Sequence, residues 1–207
     1  NSNNAPIIIV GAGPVGLTLA LYLAQHDVRS VVIERFNEQE FLEQEPRAGS
    51  IHPATLEMLD SLGLYQRMEA RGLNAPTFQY WDRQRDEMFA EFDHAVLKDD
   101  TRFPYVLQCE RTKMIDEAMQ VLRAPQYRTL CTVRMQTEFE SFTQDDNGVT
   151  ATVTNATGEK EDVHGSFIVG CEGGRSIVRK TLDIEFEGYT YPERTLTDRK
   201  STRLNSS

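Results

Sequence analysis

The stretch Ile7-Ile8-Ile9-Val10-Gly11-Ala12-Gly13-Pro14-Val15-Gly16 decides how this 207-residue chain is read. Four apolar residues form a short strand, and the glycines after them form a turn from strand into helix. Gly11 supplies the backbone freedom that a tight turn needs. Gly13 lets the main chain approach a pyrophosphate closely, and Gly16 lets the helix lie against the strand. The helix that opens near Pro14 and Val15 turns its free N–H groups and the positive end of its dipole toward that anion. A second apolar run, Val31-Val32-Ile33, ends at Glu34, 23 positions after Gly11. A carboxylate there accepts hydrogen bonds from ribose hydroxyls and repels a 2′-phosphate, so NADP is disfavoured at this turn. Strand, glycine turn, helix Leu17 to Gln25 and second strand make a right-handed βαβ unit of a parallel sheet, with a dinucleotide expected on the turn.

The bulk properties narrow the partners. A formal charge of -10, from 32 acids and 22 bases, argues against nucleic acid or an anionic membrane as partner. No apolar run approaches the roughly 18 residues that span a bilayer. Asn1 to Pro6 lacks the basic and apolar regions of a signal peptide. Cys109, Cys131 and Cys171 are odd in number, widely spaced and outside any CxxC pattern, which suits buried thiols in a reducing compartment and a cytoplasmic protein. His26, His52, His94 and His164 show no metal-ligand spacing, so no metal site is expected. Asn155-Ala156-Thr157 matches a glycosylation sequon and is read as chance in a chain without a secretory signal.

Beyond Glu34 the polar stretch Arg35 to Arg47 has no clear period and reads as a long functional loop. His52-Pro53 opens a helix with Leu56, Leu59 and Leu62 on one face, stopped by Gly63. Between Ala75 and Asp93, Phe78 and Tyr80 and then Met88, Ala90 and Phe92 alternate about the polar turn Asp82 to Asp86, which predicts an antiparallel hairpin. Its aromatic stripe, Trp81 included, is read as core in preference to a ligand wall. Val106 to Cys109 predicts a strand that resumes the α/β layer. Arg111 to Leu122 follows as a helix facing inward through Met114, Ile115, Ala118, Met119 and Leu122. Three β-like runs, Glu138 to Gln144, Gly148 to Asn155 and Glu159 to His164, predict a meander. Phe167 to Gly170 then returns as a short buried parallel strand. It ends in a second glycine turn, Cys171-Glu172-Gly173-Gly174-Arg175-Ser176, placed before a helix start to meet an anion.

In their order, Gly11 to Gly16, Glu34-Arg35, Pro46-Arg47-Ala48, Gln108, Cys171 to Lys180 and Phe186-Glu187-Gly188 resemble the class A flavin monooxygenases of the para-hydroxybenzoate hydroxylase fold. The phenol and 3-hydroxyphenylpropionate hydroxylase-like members are the nearer likeness. The resemblance implies an α/β fold. It joins a Rossmann-like FAD-binding parallel sheet, a β-meander and the beginning of an inserted antiparallel substrate-binding sheet. On that pattern residues 1–72 and 104–183 belong to an incomplete FAD-binding domain, and 73–103 with 184–197 begin the substrate sheet. The resemblance further implies FAD as cofactor and NADH or NADPH as co-substrate, with a small aromatic substrate, O2 and a full-length homodimer as expected partners.

By the same resemblance the FAD pyrophosphate lies on Gly11 to Gly16, the adenosine ribose on Glu34 and the adenine beside Arg35. Arg47 reaches the ribityl or pyrophosphate region, Gln108 the ribityl chain or the flavin ring, and Glu172-Gly173 the second FAD turn. Glu172 stands where the family has aspartate, which puts efficient reduction by NAD(P)H in question, because an extra methylene displaces the carboxylate. Asp27 replaces the glycine that commonly ends the first helix, a substitution that aspartate tolerates in the left-handed region. No catalytic acid or base is assigned. A non-hydroxylating FAD oxidoreductase, a halogenase of the same fold and an inactive nucleotide-binding fragment stand as alternatives. Asp198 to Ser207 matches, codon for codon, a translation of the sequencing adapter GATCGGAAGAGCACACGTCTGAACTCCAGT and is expected to be a non-native tail on a truncated chain.

Overall fold

The computed structural model describes residues 5–43, 49–82 and 84–192. In chain order the first half runs β1 (Ile7–Val10), α1 (Pro14–Gln25), β2 (Ser30–Ile33), α2 (Glu38–Leu42), β3 (Ser50–Ile51), α3 (Pro53–Ser61), α4 (Tyr65–Glu69), β4 (Leu73–Ala75), β5 (Thr77–Asp82) and β6 (Glu87–Asp93). The second half runs β7 (Val106–Gln108), α5 (Arg111–Leu122), β8 (Cys131–Arg134), β9 (Glu138–Asp145), β10 (Gly148–Thr154), β11 (Lys160–Gly165), β12 (Phe167–Gly170) and α6 (Ile177–Thr181). These elements form an α/β fold with one parallel sheet and separate antiparallel ones.

Four parallel strands in the order β12-β1-β2-β8 make the central sheet. Side chains on a strand alternate between faces, so β1 serves both of its own. Ile9 joins Leu17, Leu21, Val32, Leu56, Leu59, Ile115 and Leu122 in the helical core. Ile8 and Val10 join Ile33, Phe139, Phe142, Ala151, Val153 and Val178 in a second core, under the β9-β10-β11 meander. Burial on both faces explains why this strand is apolar throughout instead of alternating.

Most predicted elements form. The inward face of α5 is buried as the periodicity requires, and Asp27 closes the end of α1 with a φ of 57°. Four expectations need correction, and one strand went unread. The stretch after Glu34 is not all loop: Asn37 and Glu40 form a reciprocal capping box that starts α2 and seats the buried Phe41. β7 does not rejoin the parallel layer; it pairs antiparallel with β3 and β4. β8 completes the parallel sheet from a segment, Cys131–Arg134, whose shortness hid it. β12 is parallel as expected but not buried. It has β1 as its one neighbour among the described residues, and Phe167 is 67% exposed. The β5-β6 hairpin forms, yet Phe78, Tyr80, Trp81, Met88 and Phe92 all lie exposed, outside either core.

Candidate functional site

The register of the sheet brings the functional turns together. Val10 pairs with Gly170 on one side and with Ile33 on the other, so three strands end level, followed by Gly11, Cys171 and Glu34. From β1 the chain moves to β2 on one side, and β12 is added on the other. Strand order therefore reverses at β1, the place where open α/β sheets hold ligands beyond their carboxyl ends. Three backbone bonds lock the edge: Gly11 N–H to the Ile33 carbonyl at 2.8 Å, Cys171 N–H to Val10 at 2.8 Å, and Glu34 N–H to Arg134 at 2.9 Å.

The glycines of the first turn are used differently. Gly11 has a φ of 103°, and a Cβ on it would stand 2.7 Å from the Cys171 carbonyl oxygen, so the two turns touch through main chain. At Gly16 a Cβ would fall 1.9 Å from the Gly11 carbonyl oxygen, which forces glycine where α1 crosses the turn. Gly13 precedes α1 with an ordinary φ of -64°, and nothing lies within 4 Å of where its Cβ would be. Its absent side chain is a cleared approach to the main chain. Pro14 occupies the first helical turn, and Val15 is 69% exposed on the same rim.

Glu34 is 7% exposed. One carboxylate oxygen, Oε2, accepts the Ala12 N–H at 3.0 Å, and Oε1 accepts the Phe36 N–H at 3.2 Å. A carboxylate offers about four acceptor positions, so two remain for hydroxyl donors. Arg35 is exposed, its guanidinium 4.6 Å from the centre of the Phe36 ring.

In the second turn Gly173 has a φ of 80° with open space about it. The Glu172 carboxylate points forward along the chain, accepting the Ile177 and Val178 N–H groups at 2.9 and 3.1 Å and the Ser176 hydroxyl at 2.8 Å. Burial, and next the Glu172 charge, push the Cys171 thiol above its ordinary pKa. Gln108 lies on the neighbouring β3-β7-β4 sheet, and its Oε1 accepts the Ser50 hydroxyl at 3.0 Å. Gly49 beside it is pinned by the Cys109 N–H at 2.8 Å. Arg47 and Asp198 to Ser207 lie outside the described residues.

Gly11, Glu34 and Cys171-Glu172 are thus in one edge, while Gln108 stands on another sheet with Ser50 as its side-chain partner. Sequence reasoning missed Ala12, whose N–H is the direct link between turn and acid, and the Cys171 carbonyl that fills the hollow of Gly11. It also missed Ser176, although a hydroxyl four residues after Glu172, just before a helix, is a capping signal. Paired glycine turns, a cleared approach at Gly13 and a half-satisfied acid fit a dinucleotide with an anionic centre. Among the described residues no three His, Cys, Asp or Glu gather to hold a metal, and no helix is long and apolar enough to cross a membrane.

The pattern of the FAD binding domain family matches residues 4–197. The chain belongs to that family. Para-nitrophenol 4-monooxygenase of Pseudomonas sp. strain WBC-3 is 32% identical to it over 189 residues, covering 91% of this chain and 45% of that protein. The 3-(3-hydroxy-phenyl)propionate/3-hydroxycinnamic acid hydroxylase of Comamonas testosteroni is 30% identical over 194 residues, 93% of this chain and 31% of that protein. Among solved structures, p-nitrophenol 4-monooxygenase of Pseudomonas putida DLL-E4 superposes with a TM-score of 0.81 at 31% identity, covering 90% of this chain and 45% of that one. An aklavinone-11 hydroxylase solved with FAD and aklavinone superposes with a TM-score of 0.71 at 26% identity, over 86% of this chain and 35% of that one. This FAD binding domain spans less than half the length of the two curated relatives.

Proposed function

We propose that this FAD binding domain is the cofactor-holding part of an NADH- or NADPH-dependent monooxygenase that hydroxylates a small phenolic substrate with O2. The observation that carries the reading is the single sheet edge where Gly11, Glu34 and the Cys171 turn meet at the reversal of strand order. The likeness to nitrophenol and hydroxyphenylpropionate hydroxylases supports the aromatic substrate.

When bound, FAD supplies the redox chemistry, taking electrons from the nicotinamide and activating O2 toward an electron-rich ring. The chain's own residues bind and orient. Within Gly11 to Gly16 the main-chain N–H groups of Gly13, Val15 and Gly16, with the α1 dipole, are offered to the pyrophosphate, since those of Gly11 and Ala12 are spent on Ile33 and Glu34. Glu34 accepts from the adenosine ribose with the lone pairs that Ala12 and Phe36 leave free, and exposed Arg35 flanks the adenine. In this reading Arg47 supplies a guanidinium fork for phosphate oxygens and Gln108 hydrogen-bonds near the ribityl chain or the flavin ring. Residues 73–103 and 184–197 begin the wall that shapes the substrate site and keeps water from it. Three unpaired thiols fit the reducing cytoplasm.

The test is made on the full-length protein. NADH or NADPH oxidation should rise on addition of a phenol, and the product should carry one atom of labelled dioxygen. Oxidation indifferent to every phenol tried, with no label in any product, overturns the reading.

A further inference from the structure

We infer that Glu172 is a positioning residue, which acts on FAD only through the turn that its carboxylate holds. The inference rests on the FAD reading above and deepens it. Glu172 folds inward: its Oε2 lies where a Cβ on Gly170 would come within 2.8 Å, and Val178 Cβ would stand 2.9 Å from the same point. Three donors converge on it, the Ser176 hydroxyl and the N–H groups of Ile177 and Val178. Ser176, 7% exposed, accepts in turn from the Arg179 N–H at 3.1 Å.

Five residues, Glu172 and Ser176 to Arg179, are thereby closed into one unit, from just after β12 to the first turn of α6. The N–H groups at the start of α6 are spent on the chain's own carboxylate, so they are not left to receive a cofactor anion. In the same turn Gly173, at a φ of 80°, has nothing within 4 Å of a Cβ position, whereas a Cβ on Gly174 would stand 3.8 Å from the Phe186 ring. What the turn leaves open is therefore the backbone at Gly173. The glutamate has the length to span from residue 172 to the N–H of residue 178, and this contact explains how the extra methylene is accommodated.

Transplanting the cap tests the idea. The chain, E172A, E172A/S176D and E172Q are each titrated with FAD by flavin fluorescence, and the apoproteins are melted. Serine already caps α6 by accepting the Arg179 N–H; aspartate keeps an N-cap acceptor and adds a second oxygen for the N–H groups that E172A releases, without returning a carboxylate to position 172. E172A should lower the apoprotein Tm and weaken FAD binding by about tenfold, the scale of one lost cap. E172A/S176D should recover both. E172Q keeps one acceptor oxygen for the Ile177 and Val178 N–H groups and should recover part of both, which serves if E172A does not fold.

Recovery of Tm without recovery of FAD affinity, in either rescuing variant, means that the carboxylate touches the cofactor and overturns the inference. So does E172A binding FAD like the parent, or failure of both variants to recover either quantity. A parent chain that takes up no FAD overturns the proposed function as well; a parent that binds, with unrescued variants, overturns this inference alone.

Discussion

The Ala12 N–H donates to Glu34 Oε2 at 3.0 Å, tying the first glycine turn to the acid at the tip of the next strand before any ligand is considered. With the Phe36 N–H on Oε1, the carboxylate organises two backbone segments from a position only 7% exposed. Replacing Glu34 by alanine leaves both donors without their acceptor. We expect a loss of about 1–3 kcal/mol in apoprotein stability, measured by urea unfolding. E34Q should lose less, since one amide oxygen remains. Unchanged stability in E34A would show that the two bonds do no structural work.

Gly13 and Gly16 separate binding from folding. Alanine at Gly16 would place Cβ 1.9 Å from the Gly11 carbonyl oxygen, so G16A should unfold at clearly lower denaturant. At Gly13 the φ of -64° suits alanine and no protein atom is near. G13A should therefore stay within about 1 kcal/mol of the parent while binding FAD more weakly, because its methyl enters the approach to the main chain. Equal FAD affinity in G13A and the parent would remove the pyrophosphate from this turn.

Stability should fall at both ends of the pH range. Asp116 is held below its usual pKa, first by its hydrogen bond from Arg71 and next by that from Gln120. A depressed folded-state pKa contributes stability that is present above the unfolded value of about 3.9 and is lost as pH falls through the folded one. Burial raises the thiols of Cys109, Cys131 and Cys171. Their contribution is complete below the unfolded pKa of about 8.5 and is lost as pH climbs through the raised folded values. Urea midpoints measured across pH should decline at both limits, and R71A should flatten the acid limb. Thiol alkylation at pH 8 should be slow in the native chain and fast in urea.

Trp81 is the sole tryptophan and is 55% exposed on the hairpin. Its fluorescence should be quenched by acrylamide nearly as well as that of the unfolded chain. W81S should leave the stability of the core, measured by urea unfolding, unchanged within about 0.5 kcal/mol. A shielded tryptophan would place the hairpin against another surface in solution.

The parts of this fold that could be read from sequence were those with a local cause. The Ile7–Val10 run, the three glycines and Glu34 are each demanded by a turn or a close approach within the βαβ unit, and the face of α5 follows from its period. What escaped depended on partners distant in sequence. Nothing local to Val106–Gln108 says that it will pair antiparallel with Ser50–Ile51 and Leu73–Ala75 in place of the main sheet. Cys131–Arg134 is too short for a period to show. The hairpin aromatics carry a core pattern, but no described neighbour covers them, and a stripe cannot announce its partner. In the site, Gly11 was assigned to a tight turn, while the reason that its Cβ has no room is Cys171, 160 residues later.

Titration of the purified chain with FAD, followed by flavin fluorescence and the visible flavin band, tests the central claim most directly. The account predicts saturable binding of one FAD per chain, weakened by G13A in a protein that remains folded. A folded parent chain that leaves the spectrum and fluorescence of FAD unchanged would contradict it.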